Sequence, residues 1–386
     1  MKFSGVSLSR VTLAFVIALI GFVLRLFMAV MGPIEYDEPV YVDAAIHYAM
    51  DIRSGHWDQI VNSEENYEHP IFNKLLYSLP LLAFKPISGT SMPMDTPIHD
   101  VPDYYRLLAM RLISVTAGTG VVFLLSLINP IAGLAFAVHT FAIKYTSVIY
   151  LEAVPLLASL GALLALQKTF AAPADRNKPD LNWLITGAVL AGMAAASKYI
   201  YAVVIAAAAL AILLEPNLRS PKKLLWLGTW GLLSLFFFGL FDPVLWPAPV
   251  ARLLESFQFS VRYSGQDPVV VQKAYPVFQP IYWLMLSIPH HAQKLQPFFY
   301  HTGDFLVLAD TLIFVLAVIG LPTLVRHNRP MAIWLGLGLI FLLFWKTKWP
   351  QYVLLILPPF CLSAADGFER MRERYVRMVG GMESRD

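Results

Sequence analysis

Four carboxylates, Glu35, Asp37, Glu38 and Asp43, crowd into the stretch GPIEYDEPVYVDAA. They follow directly on residues 11–31, a mostly apolar run long enough to cross about 30 Å of hydrocarbon as a helix. A carboxylate held within about 3 Å of an attacking hydroxyl or amine can take its proton, so acids fixed at a membrane boundary suit general-base chemistry. The plainer reading of an acidic pair after a first span is a solvated loop.

Other ionisable residues lie in or beside apolar segments: Arg25, Arg106, Arg111, Lys144, Glu152, Lys198, Asp242, Lys346 and Lys348. Glu152 sits in VIYLEAVPLLASLGALLAL, where a charge without a partner is expensive. Cations at helix ends can hold a phosphate, lysine as a point charge and arginine as a fork. Lysines there also commonly snorkel to the interface, and Arg25 reads as such an anchor or as an intramembrane partner. A carboxylate base beside phosphate-holding cations suggests transfer of a group carried on a membrane-embedded phosphate. The aromatic clusters Trp246, Tyr282–Trp283, Phe298–Tyr300 and Trp349 read as interface belts, although aromatic faces also stack on sugars.

The elements that must position these residues follow from composition. The chain has 386 residues, 57% hydrophobic and 14% charged, with mean hydropathy +0.59, which marks an all-α integral membrane protein. A net charge of +3 is too small to point to nucleic acid. The single cysteine, Cys361, excludes an intrachain disulfide. After the first span, further spans are expected at 105–128, 131–147, 149–168, 182–198, 199–214, 224–241, 305–325, 331–345 and 351–365, about ten in all. The first loop, 32–104, is punctuated by prolines and suits helices lying on the membrane surface. One, at 37–53, places Val40, Ala44, His47 and Tyr48 on one face; another covers 71–84. In the second loop, 242–304, YPVFQPIYWLMLSIP suits a membrane-hugging or re-entrant piece. Basic residues of the short loops (Lys2, Arg10, Arg176, Lys178, Arg219, Lys222, Lys223, Arg326, Arg329) and of the tail fall on one side, which makes that side cytoplasmic and both large loops outward-facing. Residues 1–370 form one transmembrane domain and 371–386 a short cytoplasmic tail, with no sequence repeat and no separate soluble domain.

Several stretches, taken in order, resemble a known family. EYDEPVYVDAAIHYA is similar to an acidic pair followed by a spaced tyrosine, and YEHPIFNKLLYSLP to a His-Pro-Pro-leucine stretch in the first loop. YYRLLAMRLISVTAGTGVVFLL is similar to an Arg-led second span, with Arg111 the better match. YTSVIYLEAVPLLASLGALLAL carries an acid at the head of the fourth span, SKYIYAVV a lysine at the fifth turn, and KTKWPQYVLLILPPF a basic, Tyr-containing entry to the last span. Across residues 10–370 the chain thus resembles the polyprenyl-phosphate-sugar-dependent glycosyltransferases of the GT-C fold, of the protein O-mannosyltransferase and aminoarabinose transferase type (glycosyltransferase family 39-like). Two departures stand out. The tandem proline appears as Pro70-Ile71, and no large lumenal domain is inserted between the later spans.

The resemblance implies a membrane glycosyltransferase of the cell envelope, in the plasma membrane. It would move a hexose or pentose from a polyprenyl-phosphate donor to a lipid, glycan or protein acceptor at the extracytoplasmic face, with inversion. It implies Asp37 as catalytic base and Glu38, His69, Arg111, Glu152, Lys198, Lys346 and Tyr352 as substrate-binding residues, with Lys198, Lys346 and Arg111 on the donor phosphate. It implies no required metal or other cofactor, although the acidic cluster could still bind a divalent ion. Two rivals share the span count and buried charges. One is a transporter or flippase of a lipid-linked sugar, which would show internal symmetry and midplane charges. The other is a non-catalytic subunit that binds a lipid-linked sugar and would tolerate loss of Asp37.

Overall fold

The computed structural model describes residues 8–86, 92–170, 180–216, 218, 220–273, 275–287 and 299–383. Lys2, Arg176, Lys178 and Arg219, used above for orientation, lie outside them, as does Phe298; the side chain of Tyr300 is likewise not described. Among the described residues the chain is helical, with no strand longer than the isolated bridge between Pro33 and Pro97. Among the described residues six helices are long and apolar enough to cross a membrane, at residues 9–31, 104–128, 153–170, 220–241, 308–327 and 350–378. Three shorter apolar ones, Leu181–Ser197, Tyr199–Leu213 and Arg329–Phe344, accompany them.

The third expected span, 131–147, is not one helix. It divides at His139, in extended backbone, into two helices of nine and six residues, Pro130–Val138 and Thr140–Tyr145. Each is too short to span alone. A break strands backbone groups that water cannot reach, and buried charges satisfy them here. The carbonyls of Phe136 and Ala137 accept from the guanidinium of Arg25 at 3.3 and 3.4 Å. The Thr140 N–H donates to Asp310 at 3.2 Å. Arg25 also donates to Thr146 Oγ1 at 2.8 Å, so its role is that of an intramembrane partner and not of a snorkelling anchor.

In chain order the elements that reach the site are α1 (Leu8–Met31), α2 (Glu38–Ser54), α3 (Trp57–Val61), α4 (Phe72–Leu81) and α5 (Tyr104–Ile128). The two halves of the broken span are α6 and α7; α8 (Ala153–Phe170), α9 (Leu181–Ser197), α10 (Val203–Leu213) and α11 (Ser220–Phe241) follow. The second loop folds as α12 (Pro249–Gln266), α13 (Pro268–Lys273) and α14 (Gln279–Met285), and the chain closes with α15 (Phe299–His327), α16 (Arg329–Phe344) and α17 (Leu357–Glu383). Helix α2 is enclosed more fully than a surface helix would be. It buries Tyr41, Val42, Ala44, Ala45, Ile46, Tyr48 and Ala49, while Val40 and His47 of the expected face are exposed. In α14, Trp283 is core and not interface belt, whereas Tyr282 and Trp246 remain exposed. Helix α17 runs without interruption past residue 370, so the charged tail begins as a continuation of the last span.

Helices α15 and α17 touch backbone to backbone. A Cβ at Gly320 would collide with the Ser363 carbonyl, and one at Gly367 with the Leu316 carbonyl. Small residues at such crossings let membrane helices approach closely. Gly320→Ala should therefore lower the thermal midpoint in detergent by an amount corresponding to roughly 1–3 kcal/mol of overpacking or more. Gly336→Ala, at a position where a Cβ meets open space, should be neutral or stabilising by up to about 1 kcal/mol. Equal midpoints for the two variants would contradict the packing described.

Candidate active site

The acidic stretch is anchored by one buried fork. Arg111 of α5 donates to both oxygens of Glu38, Nε to Oε1 at 2.8 Å and Nη2 to Oε2 at 2.6 Å. Its remaining donors take the carbonyls of Ala29 (2.9 Å), Gly32 (3.0 Å) and Pro33 (2.8 Å), where α1 ends. Glu38 in turn accepts from the backbone N–H groups of Glu35 and Ile149, each at 2.8 Å. A helix end leaves its last carbonyls without partners, and this guanidinium supplies them while fixing where α2 begins. Asp37 is the residue immediately before that first turn.

From there Asp37 lines a cavity of about 200 Å³. The segment 66–69 contributes Asn66, Glu68 and His69, and α2 contributes Tyr41. Lys198 enters from the end of α9, Phe259, Ser260 and Tyr263 from α12, and Thr347, Trp349, Gln351 and Tyr352 from the approach to α17. No hydrogen bond or ion pair ties the Asp37 carboxylate to another described residue, although its backbone N–H donates to the Tyr150 hydroxyl at 3.4 Å. Burial pushes its carboxyl above the ordinary value; the Lys198 ammonium opposes this, and Glu35 and Glu68 add to it. Burial, with Lys198 and Lys74, holds His69 well below its ordinary value. The imidazole is therefore neutral at pH 7, able to donate or accept a hydrogen bond but not to serve as a cation.

Lys198 and Glu152 form a buried ion pair, and the Lys198 Nζ stands 4.9 Å from the centroid of the Tyr352 ring. Glu152 thus has the partner that its apolar surroundings demand, and its second oxygen, Oε2, is without one. Asp37, His69, Lys198 and Tyr352 of the expected site come together around the cavity, with Glu152 behind Lys198.

Three expected substrate contacts lie outside the Asp37 cavity. Arg111 and Glu38 are buried and spend their hydrogen-bonding capacity on each other and on the backbone, so neither has a donor or acceptor to offer a ligand. Lys346 does not line the Asp37 cavity; it is exposed and lines a neighbouring one of about 180 Å³, with Ser264, Tyr275 and Lys348. The two cavities share Thr347 and Trp349, so Trp349 is a wall of the site and not a belt residue. Three further charges have structural roles. Lys348 donates to the carbonyls of Leu342, Leu343 and Trp345 at the end of α16. Lys144 pairs with Glu35 at 2.8 Å. Asp242 accepts from the Ile71 N–H and the Tyr199 hydroxyl, joining α4 to the end of α11.

Residue-by-residue reading of the sequence missed Glu68, Lys74 and the face of α12. The Lys74 ammonium is buried and donates to the carbonyls of Glu65 (3.0 Å), Asn66 (3.0 Å) and His69 (3.1 Å), which ties down the segment carrying Glu68 and His69. Burial brings its pKa down to about 8. A lysine within the short apolar helix α4 was the available signal, since a buried ammonium demands acceptors nearby. In α12 the signal was helical periodicity, with Ser256, Phe259, Ser260 and Tyr263 recurring on the inner side of a segment read above only as loop. Among the described residues no three His, Cys, Asp or Glu side chains converge as a metal site.

The fork makes a specific prediction. Arg111→Ala would leave the Glu38 carboxylate buried and unpaired, a loss of about 3–5 kcal/mol. That variant should be recovered in low yield or with a sharply lowered thermal midpoint in detergent. A variant with the wild-type midpoint, altered only in ligand affinity, would return Arg111 to the role of a phosphate ligand.

No protein-family model and no curated protein sequence matches the chain. Similarity appears among solved structures. ArnT from Cupriavidus metallidurans superposes with a TM-score of 0.57 in the apo state and 0.56 when bound to undecaprenyl phosphate, at 15% identity over 96% of this chain. The apo oligosaccharyltransferase from Archaeoglobus fulgidus superposes with a TM-score of 0.53 at 11% identity over 97% of this chain. The chain spans 62% of the length of the first protein and 52% of the second. Both are longer membrane glycosyltransferases, and what they share with this chain is the path of the backbone through its helices. The protein is a multi-pass membrane protein with the GT-C glycosyltransferase fold.

Proposed function

We propose that this protein is a glycosyltransferase that moves a sugar from a polyprenyl-phosphate donor to an acceptor at the extracytoplasmic face of the cell membrane. One observation carries the reading: of the three acids closest to the boundary, Glu35 and Glu38 are held in ion pairs, while Asp37 keeps its carboxylate free beside a cavity walled by tyrosines and tryptophan. That ArnT from Cupriavidus metallidurans is seen with undecaprenyl phosphate supports the class of donor.

The chemistry is a single displacement. Asp37 takes the proton of the acceptor O–H or N–H as that atom bonds to the anomeric carbon. The C1–O bond to the phosphate breaks, and the polyprenyl phosphate departs with the electron pair. Attack opposite the leaving group inverts the anomeric centre. Tyr41, Tyr263, Tyr352 and Trp349 offer faces and hydroxyls to the sugar, and Asn66, His69 and Gln351 offer neutral hydrogen-bonding groups. The phosphate is assigned to the Lys346 side of the shared Thr347–Trp349 wall, because Arg111 and Lys348 are committed elsewhere. Lys198, paired with Glu152, contributes positive charge from behind. The residues present call for no metal in this step, and none is assigned a part.

Transfer of radiolabelled sugar from a polyprenyl-phosphate donor by the purified protein tests the reading. Asp37→Asn keeps shape and hydrogen bonding but removes basicity, so it should lose roughly two or more orders of magnitude in rate while folding normally. Near-wild-type turnover would remove Asp37 as base. Lys346→Met should raise the donor KM by roughly tenfold or more through loss of a charge-assisted contact; an unchanged KM would place the phosphate elsewhere. Because the base must be unprotonated and its carboxyl titrates above the ordinary value, kcat/KM should climb as pH rises through that raised pKa and flatten above it. A profile flat from pH 4 to pH 8 would contradict this.

Sidedness has its own test. A cysteine replacing Asn62 should react with an impermeant thiol reagent on intact cells, and one replacing Arg374 should not. The opposite pattern would invert the topology.

A further inference from the structure

The charges that face Asp37 can be counted off by their partners. On its own segment, Glu35 is paired with Lys144 at 2.8 Å, and Glu38 is locked in the Arg111 fork. Across the cavity, Lys198 is balanced by Glu152. His69 is neutral. The phenols around the site, Tyr41, Tyr150, Tyr263 and Tyr352, are uncharged at neutral pH. The remaining charge is Glu68. It lines the same cavity as Asp37, and no cation among the described residues is ion-paired with it.

Its place is built and not incidental. Asn66 adopts the left-handed backbone (φ 52°), and its side-chain amide donates to the Glu68 carboxylate. The buried Lys74 ammonium, whose charge acts on Glu68, donates to three carbonyls of this segment, so it shapes the loop without forming an ion pair with Glu68. A buried ammonium spent on backbone in this way is costly unless its acceptors are held in place. Here it fixes a negative charge opposite the proposed base.

We propose that Glu68 is a positioning residue for Asp37: its negative charge, ion-paired to no described cation and held over the cavity by the Lys74-stapled loop, keeps Asp37 a strong enough base to deprotonate the acceptor. A like charge nearby disfavours ionisation, which offsets the pull of Lys198. Burial is the largest cause of the raised value at Asp37, Lys198 opposes it, and Glu35 and then Glu68 add to it; of these two carboxylates, Glu68 is the one that lines the cavity with Asp37. A base whose pKa lies nearer the working pH accepts a proton more readily in the transition state.

The inference rests on Asp37 as the base, but its test needs no turnover. A hydrophobic carbodiimide modifies protonated carboxyl groups, and peptide mass spectrometry reads modification at Asp37 in the full-length protein in detergent. The pH at which labelling falls to half reports Asp37 directly. In the wild type this midpoint should lie above the ordinary carboxylate range. In Glu68→Gln, which keeps the amide contact and the volume, it should drop by roughly half a pH unit or more. In Glu68→Asp, which keeps the charge, it should stay near the wild type. An unchanged midpoint in Glu68→Gln overturns the proposal, as does a wild-type Asp37 that is not labelled at any pH. Absence of sugar transfer by a wild-type protein that shows these midpoints would instead count against the transferase reading alone.

Discussion

The site depends on a buried carboxylate and guanidinium, Glu38 and Arg111, that spend their hydrogen bonds on each other and on the backbone. Removing two full charges from water costs several kcal/mol each, and only near-complete hydrogen bonding makes such a pair tolerable. Glu38 and Arg111 reach that condition by drawing in the backbone. The end of α1, the residue before the acidic turn and the N–H of Ile149 all converge on one fork. The first span, α2 and the approach to α8 are thereby registered against α5. Asp37 is placed by its neighbour's bond, which lets its own carboxylate remain without one.

The same logic extends across the molecule. Arg25 and Asp310 serve the broken span, Lys348 the end of α16, Lys74 the segment before α4, and Asp242 the joint between α4 and α11. Each buried charge answers to backbone groups that the membrane or the packing would otherwise leave unsatisfied. What stays uncommitted is therefore informative. Asp37 and Glu68 at one cavity, and Lys346 at the next, are the groups with charge to spare for a ligand.

Much of this was legible in the sequence, at the level of elements. Apolar runs marked the spans because hydrocarbon admits little else, and the two surface helices followed from proline spacing and periodicity. The pairing of charges was not legible. Arg111 and Lys198 are both cations at helix ends in the one-dimensional record, yet one is walled in by three carbonyls and a carboxylate while the other borders the cavity. The difference lies in contacts between residues such as Glu38 and Arg111, far apart in the chain. The break at His139 was hidden for a related reason: hydropathy is blind to a helix that stops when an arginine from another span can take its carbonyls. Glu68 was overlooked beside His69 because a loop glutamate looks solvated until a buried lysine is seen to fold the loop inward.

The central claim is that a free carboxylate activates the acceptor in one displacement at the anomeric carbon. The configuration of the product tests it most directly. Purified protein would be given a polyprenyl-phosphate sugar of defined anomeric configuration and an acceptor, and the product linkage would be assigned from its one-bond carbon–proton coupling at C1. The account predicts a product inverted relative to the donor. A retained configuration would require two successive displacements through a glycosyl intermediate on the enzyme, and would contradict the assignment of Asp37 as base.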